Sequence, residues 1–324
     1  MSYFFVFILL LIIEILYFKV ADHFNIVDKP NARSSHITPT LRGGGVIFYF
    51  SSLIFFVLSD LQYPWFFLGL TLMSTISFLD DIYSLSSKTR LLVQFFSVGL
   101  MAYELDVFSL PLYYLLITFI IVTGVVNAFN FMDGINGITA SYSLAVLLLL
   151  AIVNKNVDFV NQNLIIYAII GIVIFSFFNF RAKAKTFAGD VGSVSIAFII
   201  LFAIGALILK TNNLIYIMFL SVYGVDTVWT IIRRIYLREN IFEAHRSHLY
   251  QYLVNEAGLN KLMVSFSYGI IQFLIGISIV WVTRFESNIQ LMFAILVVLV
   301  LSAIYLFVKK AVIEKFVKKI NANV

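Results

Sequence analysis

Eleven apolar runs, joined by short polar segments, set the plan of the chain. They cover residues 3–20, 44–58, 65–79, 91–103, 110–126, 140–153, 164–178, 194–209, 214–229, 264–282 and 289–308. Crossing the hydrocarbon layer as a helix takes roughly 17–25 residues. Several runs therefore borrow flanking polar residues, and 91–103 is the weakest of them. The pattern predicts an all-α polytopic integral membrane protein of about eleven transmembrane helices. The first run has no basic leading segment and no small-residue cleavage site, so it reads as an uncleaved span rather than a signal peptide.

Composition agrees with that reading. Of the 324 residues 61% are hydrophobic and only 12% charged, against an apolar share of about 45–50% for ordinary soluble domains. The absence of cysteine excludes disulfides and thiolate metal sites. With no long polar tract or repeat, residues 1–324 read as a single membrane-embedded domain.

Charge then sets the sidedness. If the connection after the first run is cytoplasmic, 19 of the 22 Lys and Arg residues fall on that side, with Lys155, Lys210 and Arg284 opposite. This positive-inside bias places the N-terminus outside and the C-terminus in the cytoplasm. The net charge of +5 is a topology signal with some attraction to anionic lipid heads. It is not a nucleic-acid patch.

Chemistry is as asymmetric as charge. The outer joints are plain turns. The cytoplasmic joints, residues 21–44, 80–90, 127–138, 179–193 and 230–262, hold all four histidines and most of the acids. In "FLDDIYSLSSKTR" the adjacent Asp80 and Asp81 repel each other near lipid unless a cation intervenes, and Lys88 and Arg90 follow a turn or two later. In "NAFNFMDGINGI" the carboxamides of Asn127, Asn130 and Asn136 accompany Asp133, beside glycines that let backbone approach a ligand. In "FAGDVGS", Gly189, Asp190 and Ser193 open a helix whose free N–H groups suit a phosphate; Asp190 either caps that helix or holds a metal. "EAHRSHLYQ" sets His245 and His248 three residues apart around Arg246, a set suited to a diphosphate. No third ligand lies near enough in sequence to favour zinc. Arg33, His36 and Arg42 flank a glycine triplet in the first cytoplasmic loop and suit a phosphate at the membrane surface. Glu14 lies inside the first span, where a carboxylate is functional by default; with no partner identifiable in sequence it reads as a protonated packing residue. Asp226, before Arg233 and Arg234, lines the site or forms an ion pair.

In this order the motifs "DKPNARSSH…RGGG", "DD" with Lys88, "NAFNFMDGINGI", "GDVGS" and "AHRSHLYQ" resemble those of the polyprenyl-phosphate N-acetylhexosamine-1-phosphate transferases, over nearly the whole chain. The resemblance implies transfer of a sugar 1-phosphate from a UDP-N-acetylhexosamine to undecaprenyl phosphate, with release of UMP, at the cytoplasmic face of a bacterial inner membrane. It implies Mg²⁺, with Mn²⁺ as substitute, on Asp190, with Asp80 and Asp81 completing or orienting the site. Asp133, His245 and His248 join these as catalytic positions. Arg33, His36, Arg42, Lys88, Asn127, Asn130, Asn136, Gly189, Ser193 and Arg246 become substrate contacts. The histidine motif lacks the adjacent pair of the peptidoglycan branch and is more similar to the branch that starts O-antigen or capsule synthesis, which often uses 6-deoxy sugars. A homodimer is compatible with the family.

One letter departs from the pattern. The family reads D-G-x-D-G where this chain has "DGING", so Asn136 replaces an acid and cannot act as a base. A reading without transferase chemistry is a secondary transporter or lipid-linked-sugar carrier. Transporter sites lie near the membrane midplane on broken helices, whereas here the acids cluster at the cytoplasmic ends.

Overall fold

The computed structural model describes residues 2–30, 38–240 and 246–317. Apolar runs fold into helices at almost every position the pattern sets. In order they are α1 (Tyr3–His23), α2 (Val46–Leu58), α3 (Pro64–Tyr83), α4 (Ser87–Glu104), α5 (Leu112–Met132), α6 (Ile138–Val157), α7 (Gln162–Asn179) and α8 (Gly189–Thr211), then α9 (Ser221–Tyr236), the single turn α10 (Leu249–Gln251), α11 (Lys261–Val282) and α12 (Ser287–Val312). Local chemistry starts and stops them. Ser86 accepts from the Thr89 N–H at the start of α4, and Asn260 from the Leu262 and Met263 N–H groups at the start of α11. Such caps supply acceptors to N–H groups that have no partner within the helix.

Among the described residues nine helices are long and apolar enough to cross a membrane, counting Leu214–Tyr236 and Ser287–Phe316 as continuous spans. The two other predicted runs are also helical. Helix α2 has only 13 residues, and α4 carries Lys88, Arg90 and Glu104 in its 18. The polytopic α-helical class is thus established. One small addition was not anticipated: β1 (Val27–Asp28) pairs antiparallel with β2 (Thr40–Leu41), and Leu41 also bridges to Thr186.

Helix α8 is the axis of the bundle, with 89% of its central window buried. Small residues on it allow close approach by neighbours, as is usual between membrane helices. Ser195 shares a hydrogen bond of 2.8 Å with Ser74 of α3. A methyl group on Gly45 would lie 2.2 Å from the Gly192 Cα, so the glycine triplet lies flush against the first turn of α8. Helix α12 is at the other extreme, with 6% of its window buried. The N-terminus of α8 is therefore held from several sides, and the chemistry gathers there.

Candidate functional site

The site is assembled around Gly189, whose φ of +71° lets the chain turn sharply into α8. A Cβ here would strike an Asp81 carboxylate oxygen at 2.6 Å and Gly43 backbone at 2.9 Å. Asp81, at the end of α3, accepts from the N–H groups of Asp190 (2.9 Å) and Val191 (3.1 Å). It caps α8 from another helix. Its side chain is fully buried, and its Oδ1 receives the Arg42 Nε at 2.6 Å.

The glycine triplet brings Arg42 to this point. Gly44 and Gly45 donate their N–H groups to the carbonyls of Phe187 and Ala188 (2.9 and 3.0 Å), and the Tyr17 hydroxyl donates to the Arg42 carbonyl at 2.6 Å. The triplet is therefore a clamp that lays Arg42 across the start of α8. The same guanidinium donates through Nη2 to Asp190 Oδ1 at 2.9 Å. Burial works against its charge, but Asp81 and Asp190 outweigh that cost and hold it protonated.

A second arginine completes the set. Arg90 Nη1 lies 2.7 Å from Asp80 Oδ2 and 3.5 Å from Asp190 Oδ2. The other Asp80 oxygen accepts from the Leu85 N–H at 2.6 Å. Asn130 donates to Asp190 Oδ2 at 3.1 Å and accepts from Ser193 Oγ at 3.1 Å. Each arginine side chain stays about one-third exposed, at 32% and 34%, beside carboxylates that are nearly enclosed.

The predicted residues thus divide. Asp80, Asp81, Asp190, Arg42, Asn130, Gly189 and Ser193 converge. Asn127, one turn before Asn130, donates to Gln94 Oε1 (3.1 Å) and the Thr123 carbonyl (2.8 Å), flanking the cluster. Lys88 is exposed on the first turn of α4. Asp133 receives a 2.6 Å hydrogen bond from Thr139 Oγ1. Burial pushes its carboxyl up to about 6; the Thr139 bond opposes the shift, Asp190 adds to it and Arg42 opposes it.

Asn136 requires a correction. It is not aimed at ligand: the side chain is buried, its Nδ2 donates to the Arg181 carbonyl at 2.7 Å, and its own carbonyl accepts from Ser265 Oγ at 2.8 Å. Here the amide is a structural donor, a role no ionised acid can fill.

The histidine segment lies beside this centre. The Tyr250 hydroxyl donates to the Phe131 carbonyl at 3.0 Å and packs on Gly134, so the segment abuts the turn that carries Asp133. His248 is buried, with its Nδ1 3.1 Å from Asp226 Oδ1. Asp226 also accepts from the Leu249 N–H (3.1 Å), the Tyr268 hydroxyl (2.7 Å) and Thr230 Oγ1 (3.2 Å). Asp226 is therefore an anchor for His248, and neither Arg233 nor Arg234 pairs with it. Arg246 is 3.8 Å from Glu256. Arg33, His36 and His245 lie outside the described residues.

Sequence reasoning noted Arg90 beside the aspartate pair without giving it a role, and passed over Gln94 and Thr139. Arg90 and Gln94 are four apart on α4, hence on one face, and Gln94 is buried. A polar pair at that spacing on an apolar helix was the available signal.

Do these residues fit a divalent cation? Among the described residues no three acid or histidine side chains converge as ligands, and the Asp81 oxygens are taken by two N–H groups and Arg42. Those contacts engage both Asp81 oxygens and suit it to orienting the site. Asp80 and Asp190, by contrast, meet at one cation, with Arg90 Nη1 2.7 Å from Asp80 Oδ2 and 3.5 Å from Asp190 Oδ2. Two carboxylates gathered at one point suit a cation, and Mg²⁺ commonly uses one or two carboxylates plus substrate phosphates. The pair fits.

Comparison with known proteins bears on the family. Residues 63–209 match the family described as Glycosyl transferase family 4, a stretch that contains Asp80, Asp81, Asp133 and Asp190 but neither Arg42 nor His248. The chain is 27% identical to a Bacillus subtilis (strain 168) protein described as a probable undecaprenyl-phosphate N-acetylglucosaminyl 1-phosphate transferase, over 92% of this chain and 88% of the relative. It is 26% identical, over 74% of this chain and 78% of the relative, to the Thermotoga maritima undecaprenyl-phosphate alpha-N-acetylglucosaminyl 1-phosphate transferase. It is also 28% identical to a Thermotoga neapolitana phospho-N-acetylmuramoyl-pentapeptide-transferase, over 60% of this chain and 68% of the relative.

Proposed function

Because the chain belongs to the polyprenyl-phosphate N-acetylhexosamine-1-phosphate transferases and is a phosphoglycosyltransferase, we propose that it transfers N-acetylhexosamine 1-phosphate from a UDP-sugar to undecaprenyl phosphate. The observation that carries this reading is the convergence of Arg42, Arg90 and Asn130 on Asp190 at the N-terminus of α8. These residues come from four segments far apart in sequence, and they set phosphate-binding donors beside a carboxylate pair.

An oxygen of the acceptor phosphate attacks the sugar-bearing phosphorus of the donor. One P–O bond forms, the P–O bond to the UMP portion breaks, and its electron pair leaves with UMP. Arg42 and Arg90 hold phosphate oxygens through their partly exposed guanidinium groups, and the N-terminus of α8 adds its dipole. Asp80 and Asp190 would hold Mg²⁺, with Mn²⁺ as substitute; bound there, the ion neutralises diphosphate charge. Asp81 keeps the first turn of α8 and Arg42 in register. A phosphate monoester has its second pKa near ~6 and is mostly dianionic at neutral pH, so the attack needs no strong base and Asp81 is not required as one. His248 and Arg246 face the donor diphosphate across the Asp133 turn, with Asn127 and Lys88 at the margins.

In this reading the active site faces the cytoplasm of a bacterial inner membrane, and the basic residues gathered in the joints on that side support it. The first donor to try is UDP-N-acetylglucosamine, the sugar in the names of two relatives, and then 6-deoxy UDP-N-acetylhexosamines for a role in O-antigen or capsule synthesis. The deciding experiment is UMP release by the purified chain in detergent with undecaprenyl phosphate and Mg²⁺. Release that requires donor, acceptor and metal is expected. No release from any UDP-N-acetylhexosamine would refute the assignment.

A further inference from the structure

We propose that the groove between α9 and the last turns of α12 binds the phosphate headgroup of an anionic phospholipid. The groove encloses about 450 Å³ and is lined by Trp229, Arg233 and Tyr236 on one side and Lys309, Lys310 and Glu314 on the other. Three cations face one acid. Among the described residues none of the three cations has a carboxylate within salt-bridge distance.

Lys309 is the unusual member. It is only 4% exposed, and its ammonium donates to the Ser247 carbonyl at 2.6 Å and to the Tyr305 hydroxyl, both neutral. Arg233 converges on the same place: its guanidinium carbon and the Lys309 nitrogen lie 6.0 and 5.3 Å from the centroid of one ring, Tyr252. Two like charges over a single ring, one of them buried, repel strongly because the local dielectric is low. A phosphate is the complement to that arrangement.

Position decides which phosphate. Leu214–Tyr236 and Ser287–Phe316 are both membrane-spanning candidates, and the cations lie in their final turns. Ile232, Leu306 and Ile313 line the same groove, with Trp229 and Tyr236 beside them, the aromatic type that concentrates at headgroup level. A free phosphate ion would use the cations alone, whereas a phospholipid uses the cations and the apolar wall together. Polybasic sites of this kind attract anionic lipid heads. The groove lies outside the transfer centre and adjoins the histidine segment where Lys309 donates to the Ser247 carbonyl and where Tyr305, which also lines the groove, shares a hydrogen bond with Thr230.

The test counts lipid, so it is independent of turnover. The full chain is purified from micelles doped with equal amounts of phosphatidylglycerol and phosphatidylcholine, and retained lipid is counted by native mass spectrometry. Wild type is expected to retain phosphatidylglycerol preferentially. Arg233→Gln with Lys310→Gln should lower that retention on the order of tenfold, with UMP release near the wild-type rate. If the double variant misfolds, the exposed Lys310→Gln alone decides, with a fall of about fivefold. Equal retention of both lipids by wild type, or unchanged phosphatidylglycerol in the variants, overturns the proposal. Displacement of the lipid by equimolar inorganic phosphate or undecaprenyl phosphate would assign the groove to those ligands instead, and likewise overturns it.

Discussion

The Asp81 carboxylate, at the end of α3, accepts the N–H groups of Asp190 and Val191 at the start of α8, at 2.9 and 3.1 Å. Two residues that sequence treats as equivalent acids are thus a support and the group it supports. Asp81→Asn keeps one acceptor oxygen but loses the charge opposite Arg42. We expect a loss of roughly 2 kcal/mol, the upper range for a helix cap, seen as a lower thermal midpoint in detergent. Turnover should fall with it, because Arg42 and the first turn of α8 move together. An unchanged midpoint would contradict the support role.

Asp190→Asn separates chemistry from scaffold. Asp190 gives α8 no cap, and its oxygens face Arg42, Arg90 and Asn130. UMP release should drop by about 10²–10³, as when a group stabilising transition-state charge is removed, with the thermal midpoint little changed. Near-normal turnover would refute the assignment of Asp190 to the reacting phosphates.

Asn136→Asp tests the departure from the family pattern. The Asn136 amide donates to the Arg181 carbonyl at 2.7 Å, and an ionised Asp would place negative charge against that oxygen. A cost of about 1–3 kcal/mol is expected from the lost donor and the unsatisfied buried acceptor. The introduced acid would hold its proton more tightly when folded than when unfolded. Its penalty is therefore full near pH 8 and fades on acidification. Thermal midpoints at pH 8 and pH 5 check this, and equal losses at both would rule the explanation out.

Helices and site differ in how far the sequence made them legible. Apolar runs marked the helices because a bilayer leaves backbone groups no partner but one another. The Asp80–Asp81, "NAFNFMDG" and "GDVGS" motifs marked the site because charge and carboxamide at helix ends are costly without a task. Division of labour was hidden. Asp80 and Asp81 are neighbours along one helix, and only the turn at Gly189 makes one face Arg90 and the other the N–H groups of α8. The glycine triplet stood out only as a turn beside basic residues, but it makes the close approach to Gly192. Asp226 gave no sign of His248, 22 residues away.

Asp133 supplies a pH dependence. Burial raises its pKa to about 6 from an ordinary 3.8, so the folded protein holds this proton more tightly than the unfolded chain. Ionisation therefore opposes folding: the penalty is full above about pH 6 and gone below the ordinary value. Asp133→Asn should raise the thermal midpoint relative to wild type at pH 8, with no difference near pH 3.5. If the ionised form assists transfer, wild-type UMP release rises through pH 6, and the variant lacks that limb. A variant less stable than wild type at pH 8 would contradict the sign.

Asp226 makes the last case, because it reaches the reaction only through His248. It lies at the meeting of α9, α10 and α11, accepting from the His248 ring, the Leu249 N–H, the Tyr268 hydroxyl and Thr230. Asp226→Asn preserves shape but replaces an ionic acceptor of four hydrogen bonds with a neutral group that must also place two N–H donors. A hydrogen bond to a charged group contributes about 1.5–3 kcal/mol, which converts to roughly 10- to 150-fold. We expect that loss in kcat/KM for the UDP-sugar, carried mainly by KM, while KM for the lipid acceptor stays near wild type. The split is diagnostic, since general unfolding would lower the active fraction and leave both KM values unchanged. Equal weakening toward donor and acceptor would remove Asp226 from the orientation of the histidine segment.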